Sequence, residues 1–182
     1  MNKLLLTSFI LVCSQSLCIS CAASDKKEFK TILTANKENG YAKVLNDSVA
    51  NIILDAKRVT CYLQSKTQED TLRQDSVNKL PSKVVPVFQY LILRPENFSS
   101  DHVVYGNFEN WVCMKIEASR KKVIFIELDF GLSKWKLLDA DKKQILQRDM
   151  KENNILLLDF VRMLFPNDLS LKILYNNLTT KI

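Results

Sequence analysis

The sequence predicts an α+β protein: an antiparallel sheet of about four to five strands with helices packed on one face. Three stretches carry that expectation. Residues 110–118, NWVCMKIEA, alternate, with Val112, Met114, Ile116 and Ala118 on one side and Trp111, Cys113, Lys115 and Glu117 on the other. Residues 121–139, KKVIFIELDFGLSKWKLLD, hold a run from Val123 to Ile126 too apolar for a half-exposed strand, then a Gly131 turn or bulge. Near the C-terminus Leu156, Leu157, Phe160, Val161 and Leu164 recur at helical spacing and stop at Pro166. The composition, 182 residues, 47% hydrophobic, with 3 Gly and 4 Pro, is that of an ordinary globular chain. One domain of this size buries about 70% of its unfolded surface and needs neither metal nor disulfide to fold.

Residues 1–23 read as a signal peptide. Lys3 is followed by an apolar run from Leu4 to Val12, about half of the roughly 20 residues that a bilayer core demands, and small residues follow it. Two cleavage patterns compete. Ile19-Ser20-Cys21 resembles the end of a lipobox, which would make Cys21 the lipidated first residue of the mature protein, although Cys18 stands where an aliphatic residue is usual. Ordinary cleavage near Cys21-Ala22-Ala23 is the alternative. Either way the chain is expected to be exported, to the periplasm or the outer membrane if anchored and otherwise secreted.

Residues 24–46 predict a tether or weak helix with Phe29, Ile32 and Leu33 on one face, ended by Asn39-Gly40. The α+β domain is expected over residues 47–182. Ser48 caps a helix that buries Val49, Ile52, Ile53 and Ala56. Arg58 to Gln64 alternates as a first strand, and the polar run Ser65 to Asp75 reads as a loop. A helix from Ser82 to about Leu93 buries Val84 or Val85, Phe88, Leu91 and Ile92, with Pro86 in its tolerant first turn and Pro95 beyond its end. After the looser stretch 96–108 come the two strands already described, then Trp135 to Leu138 and Gln144 to Gln147. A helix over 151–165 and one or two helical turns over 169–178 close the chain.

The motifs with a chemical look have plainer explanations. His102 is the only histidine and lies beside Ser99, Ser100 and Asp101. Neighbours on one loop cannot reach triad geometry, and no glycine-rich nucleophile elbow is present. Asp129-Phe130-Gly131 spells a kinase tripeptide without the rest of a kinase. Glu127 and Asp129 share a strand face about 7 Å apart, which suggests a carboxylate pair or, more simply, a solvated sheet face. Asp139-x-Asp141 lacks the other ligands of a calcium loop and reads as a turn. No metal or cofactor is called for.

Cys61 and Cys113 fall mid-strand. They form a disulfide if their strands are neighbours, or stay as two buried thiols. The net charge of +6 is mild and scattered, and the triplet Arg120-Lys121-Lys122 suits an exposed turn better than a nucleic-acid site, because no stacking aromatics accompany it. Asn46, Asn97 and Asn177 begin Asn-x-Ser/Thr triplets, which matter only in a host that glycosylates them.

Ala56-Lys57-Arg58-Val59 with Tyr62-Leu63, Glu96-Asn97-Phe98, and Leu164-Phe165-Pro166 together resemble a group of small uncharacterised exported proteins of Gram-negative gut anaerobes, over about residues 50–168. The resemblance implies an envelope location and no known catalytic residues. The sequence thus leads to an exported, membrane-anchored protein that binds a protein partner, with Trp111 and Tyr105 as candidate contact aromatics. A small soluble hydrolase using Ser99, Asp101 and His102 or the Glu127/Asp129 pair, and an inhibitor-type module, are the alternatives.

Overall fold

Register decides which side chains share a core, and here one row of paired residues crosses a whole sheet. In the computed structural model, which describes residues 31, 37, 40–66, 72–98, 111–150 and 153–180, six strands pair in the order β2-β1-β3-β4-β5-β6. They are β1 (Arg58–Lys66), β2 (Leu72–Lys79), β3 (Trp111–Ser119), β4 (Lys122–Asp129), β5 (Lys134–Leu138) and β6 (Gln144–Asp149), all antiparallel to their neighbours. Asn78, Cys61, Met114, Ile126, Leu137 and Leu146 stand opposite one another from edge to edge. The parallel row Leu63, Val112, Leu128 and Trp135 lies beside it, and all four are buried. A side-chain period of two puts both rows on the same face.

The sheet has one strand more than the sequence predicts. Within the expected loop Ser65 to Asp75, Ser65 and Lys66 end β1 and Leu72 to Asp75 begin β2. β2 reads LRQDSVNK, an edge strand with almost no apolar alternation, and its pairing shifts register at Leu63/Gln64. Polar residues on an edge strand discourage pairing with other chains, and they also hide the strand from a hydrophobic pattern.

Among the described residues the helices that accompany the sheet are α1 (Asp47–Leu54), α2 (Val85–Ile92), α3 (Asn154–Leu164) and α4 (Leu169–Thr179). α1 starts two residues earlier than its sequence cap predicts. The Asn46 side chain accepts from Val49 N at 2.9 Å, so Asn46 is the N-cap and Ser48 lies inside the helix. α1 lies against β3 and β4, and its last carbonyls are satisfied from α2: Gln89 Nε2 donates to Ile53 O at 2.8 Å and Leu54 O at 2.9 Å.

α3 crosses the sheet. Near its start Asn154 Nδ2 donates to Phe130 O in the β4–β5 turn, and at its end Leu164 O accepts from Asn78 on the edge strand at 2.7 Å. Eleven residues rise about 16 Å, enough for three strand spacings of about 4.8 Å. Its buried stripe is Leu157, Leu158, Phe160 and Val161. Leu156, expected in that stripe, is exposed, and Leu164 is half-buried. Phe88 of α2 meets Phe160 with ring centroids 6.3 Å apart.

Tyr41 and Leu45 ahead of α1 are buried too. Tyr41 packs on Phe98, and Phe98 meets Trp135 edge-on at 5.4 Å. The β4–β5 turn places its left-handed residue at Ser133, φ 52°, and not at Gly131. Asp129 Oδ1 accepts from Leu132 N at 3.0 Å and fixes that turn.

Candidate functional site

Glu127, Asp129, Lys134 and Lys136 lie on the second face of the sheet. Cys113, Glu127 and Lys136 stand in one row across β3, β4 and β5, and Asp129, Lys134 and Asp149 stand in the next across β4, β5 and β6. Each carboxylate of β4 therefore has a lysine opposite it on β5, the arrangement in which cross-strand charges attract. A solvated face is what the sequence suggests; instead Glu127 is 7% exposed, Asp129 2% and Lys134 1%. Burial pushes the Glu127 carboxyl above its usual range, and the nearby Lys136 and Lys142 charges oppose that rise.

The Asp139–Lys143 turn folds over the same face. Asp139 Oδ1 accepts from Asp141 N and Lys143 N, both at 2.9 Å, and Lys142 takes φ 64°. Lys142 Nζ then sits 3.3 Å from the Phe125 ring centroid and 3.9 Å from Cys113 Sγ. Burial, opposed by Lys142 and reinforced by Glu127, pushes the Cys113 thiol up to about 11, and burial with the charge of Cys113 raises that of Cys61 further. Neither supplies a thiolate at neutral pH.

Both cysteines are free. Their strands are neighbours, but register pairs Cys61 with Met114 and Cys113 with Tyr62. Offset by one residue, the two thiols point to opposite faces, which no disulfide geometry bridges.

Two of the three Asn-x-Ser/Thr asparagines have structural work. Asn46 caps α1, and Asn97 is buried, donating from Nδ2 to Leu91 O at 2.9 Å and Ile92 O at 3.0 Å to close the end of α2. Trp135 Nε1 donates to Asn97 O at 3.2 Å, and Asn153 Nδ2 to Asn97 Oδ1 at 3.0 Å. Asn177 is exposed on α4.

A different kind of surface lies on the α3–α4 hairpin. Only Leu171 of α4 is buried. At 100° per residue Leu169 and Ile173 lie on the face away from it and Lys172 to one side, and Leu169 and Ile173 are 68% and 51% exposed. Met163 of α3 is 67% exposed. Between the helices an open cleft of about 240 Å³ is lined by Asp159, Arg162, Met163, Phe165, Pro166 and Lys172. Arg162 Nη1 donates to Asp159 Oδ1 at 3.2 Å while its guanidinium lies 3.9 Å over the Tyr175 ring. Sequence periodicity concealed this patch, because Leu156, Leu169 and Ile173 look like core residues until the sheet has chosen which side of each helix to cover.

Trp111 is the first residue of β3, opposite Gln64. Cys21, Ser99, Ser100, Asp101, His102 and Tyr105 lie outside the described residues. Among the described residues no three His, Cys, Asp or Glu side chains gather as metal ligands would, and no helix is long and apolar enough to cross a membrane. Comparison with protein-family models, with curated proteins and with solved structures finds no match to this chain.

Proposed function

We propose that the protein is an exported envelope protein, held at the membrane through a lipid on Cys21, that acts by binding another protein and not by catalysis. The leader and its Ile19-Ser20-Cys21 ending motivate the location. The observation that carries the binding role is the exposed trio Met163, Leu169 and Ile173 on the C-terminal hairpin. Single exposed apolar residues are ordinary, but three on one helical hairpin, with Met163 also lining its cleft, concentrate apolar surface of the kind that marks an interface. Covering a fully exposed side chain of this size gains about 1.5–3 kcal/mol, and partly exposed ones proportionately less. Trp111 and Tyr105, the aromatics singled out from the sequence, remain candidate contacts of the same partner.

The carboxylate pair fits this role better than a hydrolytic one. Glu127 and Asp129 each face a lysine across the sheet and contribute to its second buried layer.

Chemical cross-linking in intact cells tests the proposal. A discrete cross-linked species, of one reproducible added mass and recovered with the envelope, is expected. Only the monomer, across linkers of several lengths and in cells grown under several conditions, would contradict a binding role.

A further inference from the structure

We infer that the α3–α4 cleft receives an apolar side chain from an acidic segment of a protein partner. The inference rests on the protein-binding proposal and adds to it the surface and the chemistry of the occupant. Met163, Phe165 and Pro166 give the cleft its apolar lining, and Asp159, Arg162 and Lys172 give it a charged rim. The rim is unbalanced. Asp159, its one carboxylate, is already engaged by Arg162 at 3.2 Å. Arg162 is held in place by Tyr175, and its Nε is buried without an acceptor. Lys172 is exposed and enters no ion pair among the described residues. Two cations against one committed anion favour a carboxylate from outside, seated beside an apolar side chain that fills the cleft.

Leu169 precedes Lys172 by one turn on α4 and Ile173 follows it, so two exposed apolar side chains flank that lysine along the helix. A groove between two helices with a cation beside it matches the way short amphipathic segments dock. A second copy of this chain fits less well, because two-fold pairing would bring the two Lys172/Arg162 rims together and set like charges face to face.

The test uses fluorescence anisotropy on the purified mature protein. One set of fluorescein-labelled short peptides carries a central Leu, Met or Phe flanked by Asp and Glu; a second set has Lys in their place. The acidic set is expected to bind at least about tenfold more tightly than the basic set, a difference that added salt narrows. Lys172→Glu should weaken the acidic set about tenfold or more and strengthen the basic one, and Met163→Asp should weaken both. Both positions are exposed, so circular dichroism should be unchanged.

Equal binding of the two sets, or indifference of the acidic set to Lys172→Glu, overturns the inference. So does a dimer that Met163→Asp dissolves, or binding to phosphatidylglycerol vesicles that both variants abolish. Repeating the cell cross-linking with the two variants separates this inference from the proposal beneath it. A cross-linked partner kept at wild-type level by both variants rejects the cleft while the binding role stands; no partner for the wild type removes the binding role itself.

Discussion

Asn153 donates from Nδ2 to Asn97 Oδ1 at 3.0 Å, and neither side chain reaches solvent. This contact ties the start of α3 to the 3-10 turn Pro95–Phe98, which closes α2 and supports Trp135 on the sheet. Asn97→Ala removes a donor from two helix-end carbonyls and an acceptor from Asn153 at once. Leaving a buried polar group unpaired costs about 1–3 kcal/mol, so the loss should reach about 3 kcal/mol in urea unfolding. Asn97→Asp should recover little, because a carboxylate cannot donate to Leu91 O and Ile92 O. A wild-type midpoint for either variant would contradict this role. The burial of Asn97 also predicts that the folded protein carries no glycan there.

The β4–β5 turn reverses the expectation attached to its glycine. A Cβ on Gly131 would meet only Asp129 Oδ1 at 3.5 Å, and the left-handed residue is Ser133. Gly131→Ala is therefore expected to leave stability unchanged or raise it by about 0.5 kcal/mol, and Ser133→Gly to raise it by about 1 kcal/mol by relieving the strained φ. Paired thermal melts decide this. A strong loss with Gly131→Ala would show that the turn needs the glycine after all.

Cys61 and Cys113 should behave as protected thiols. In the folded protein at pH 8 neither is expected to take up iodoacetamide on a timescale of minutes, and both should be alkylated in concentrated guanidinium without prior reduction. A peptide pair linked through these two cysteines in a non-reducing digest would contradict the register of β1 against β3.

Glu127 gives a pH dependence with a definite sign. Its folded value lies above the unfolded one because burial outweighs Lys136 and Lys142. The folded state then holds its proton more tightly, so the stability it contributes is present below the unfolded value near 4.5 and is lost as pH rises through the folded value. Glu127→Gln removes that loss. Relative to wild type its melting temperature should be more favourable at pH 7 than at pH 4. The opposite trend would mean that the lysines, and not burial, dominate at this carboxyl.

Where hydrophobic alternation was strong, the fold was legible. Val112, Met114 and Ile116 are buried on one face of β3, as their spacing requires, and Val85, Phe88, Leu91 and Ile92 form the inner side of α2. β2 was not legible because LRQDSVNK earns its place through backbone pairing at an edge, which leaves no apolar signature. The burial of Glu127 and Asp129 is hidden for a related reason. Polar residues on a strand read as solvated, whereas opposite charges on adjacent strands can be covered together. Asn97, Asn153 and Asn154 carried no signal at all, since hydrogen bonds to helix-end and turn carbonyls follow from tertiary position. The exposure of Met163, Leu169 and Ile173 becomes visible only once the buried side of each helix is known.

The proposed export and lipid anchoring would show in the intact mass of the protein recovered from separated membrane and soluble fractions. A membrane-fraction species whose mass starts at Cys21 and includes acyl chains is expected, converted by Cys21→Ala to an unacylated form that leaves the membrane. An unmodified chain beginning near Ala22 to Ser24, found in the soluble fraction, would contradict the anchor. A full-length chain retaining Met1 in the cytoplasm would contradict export itself.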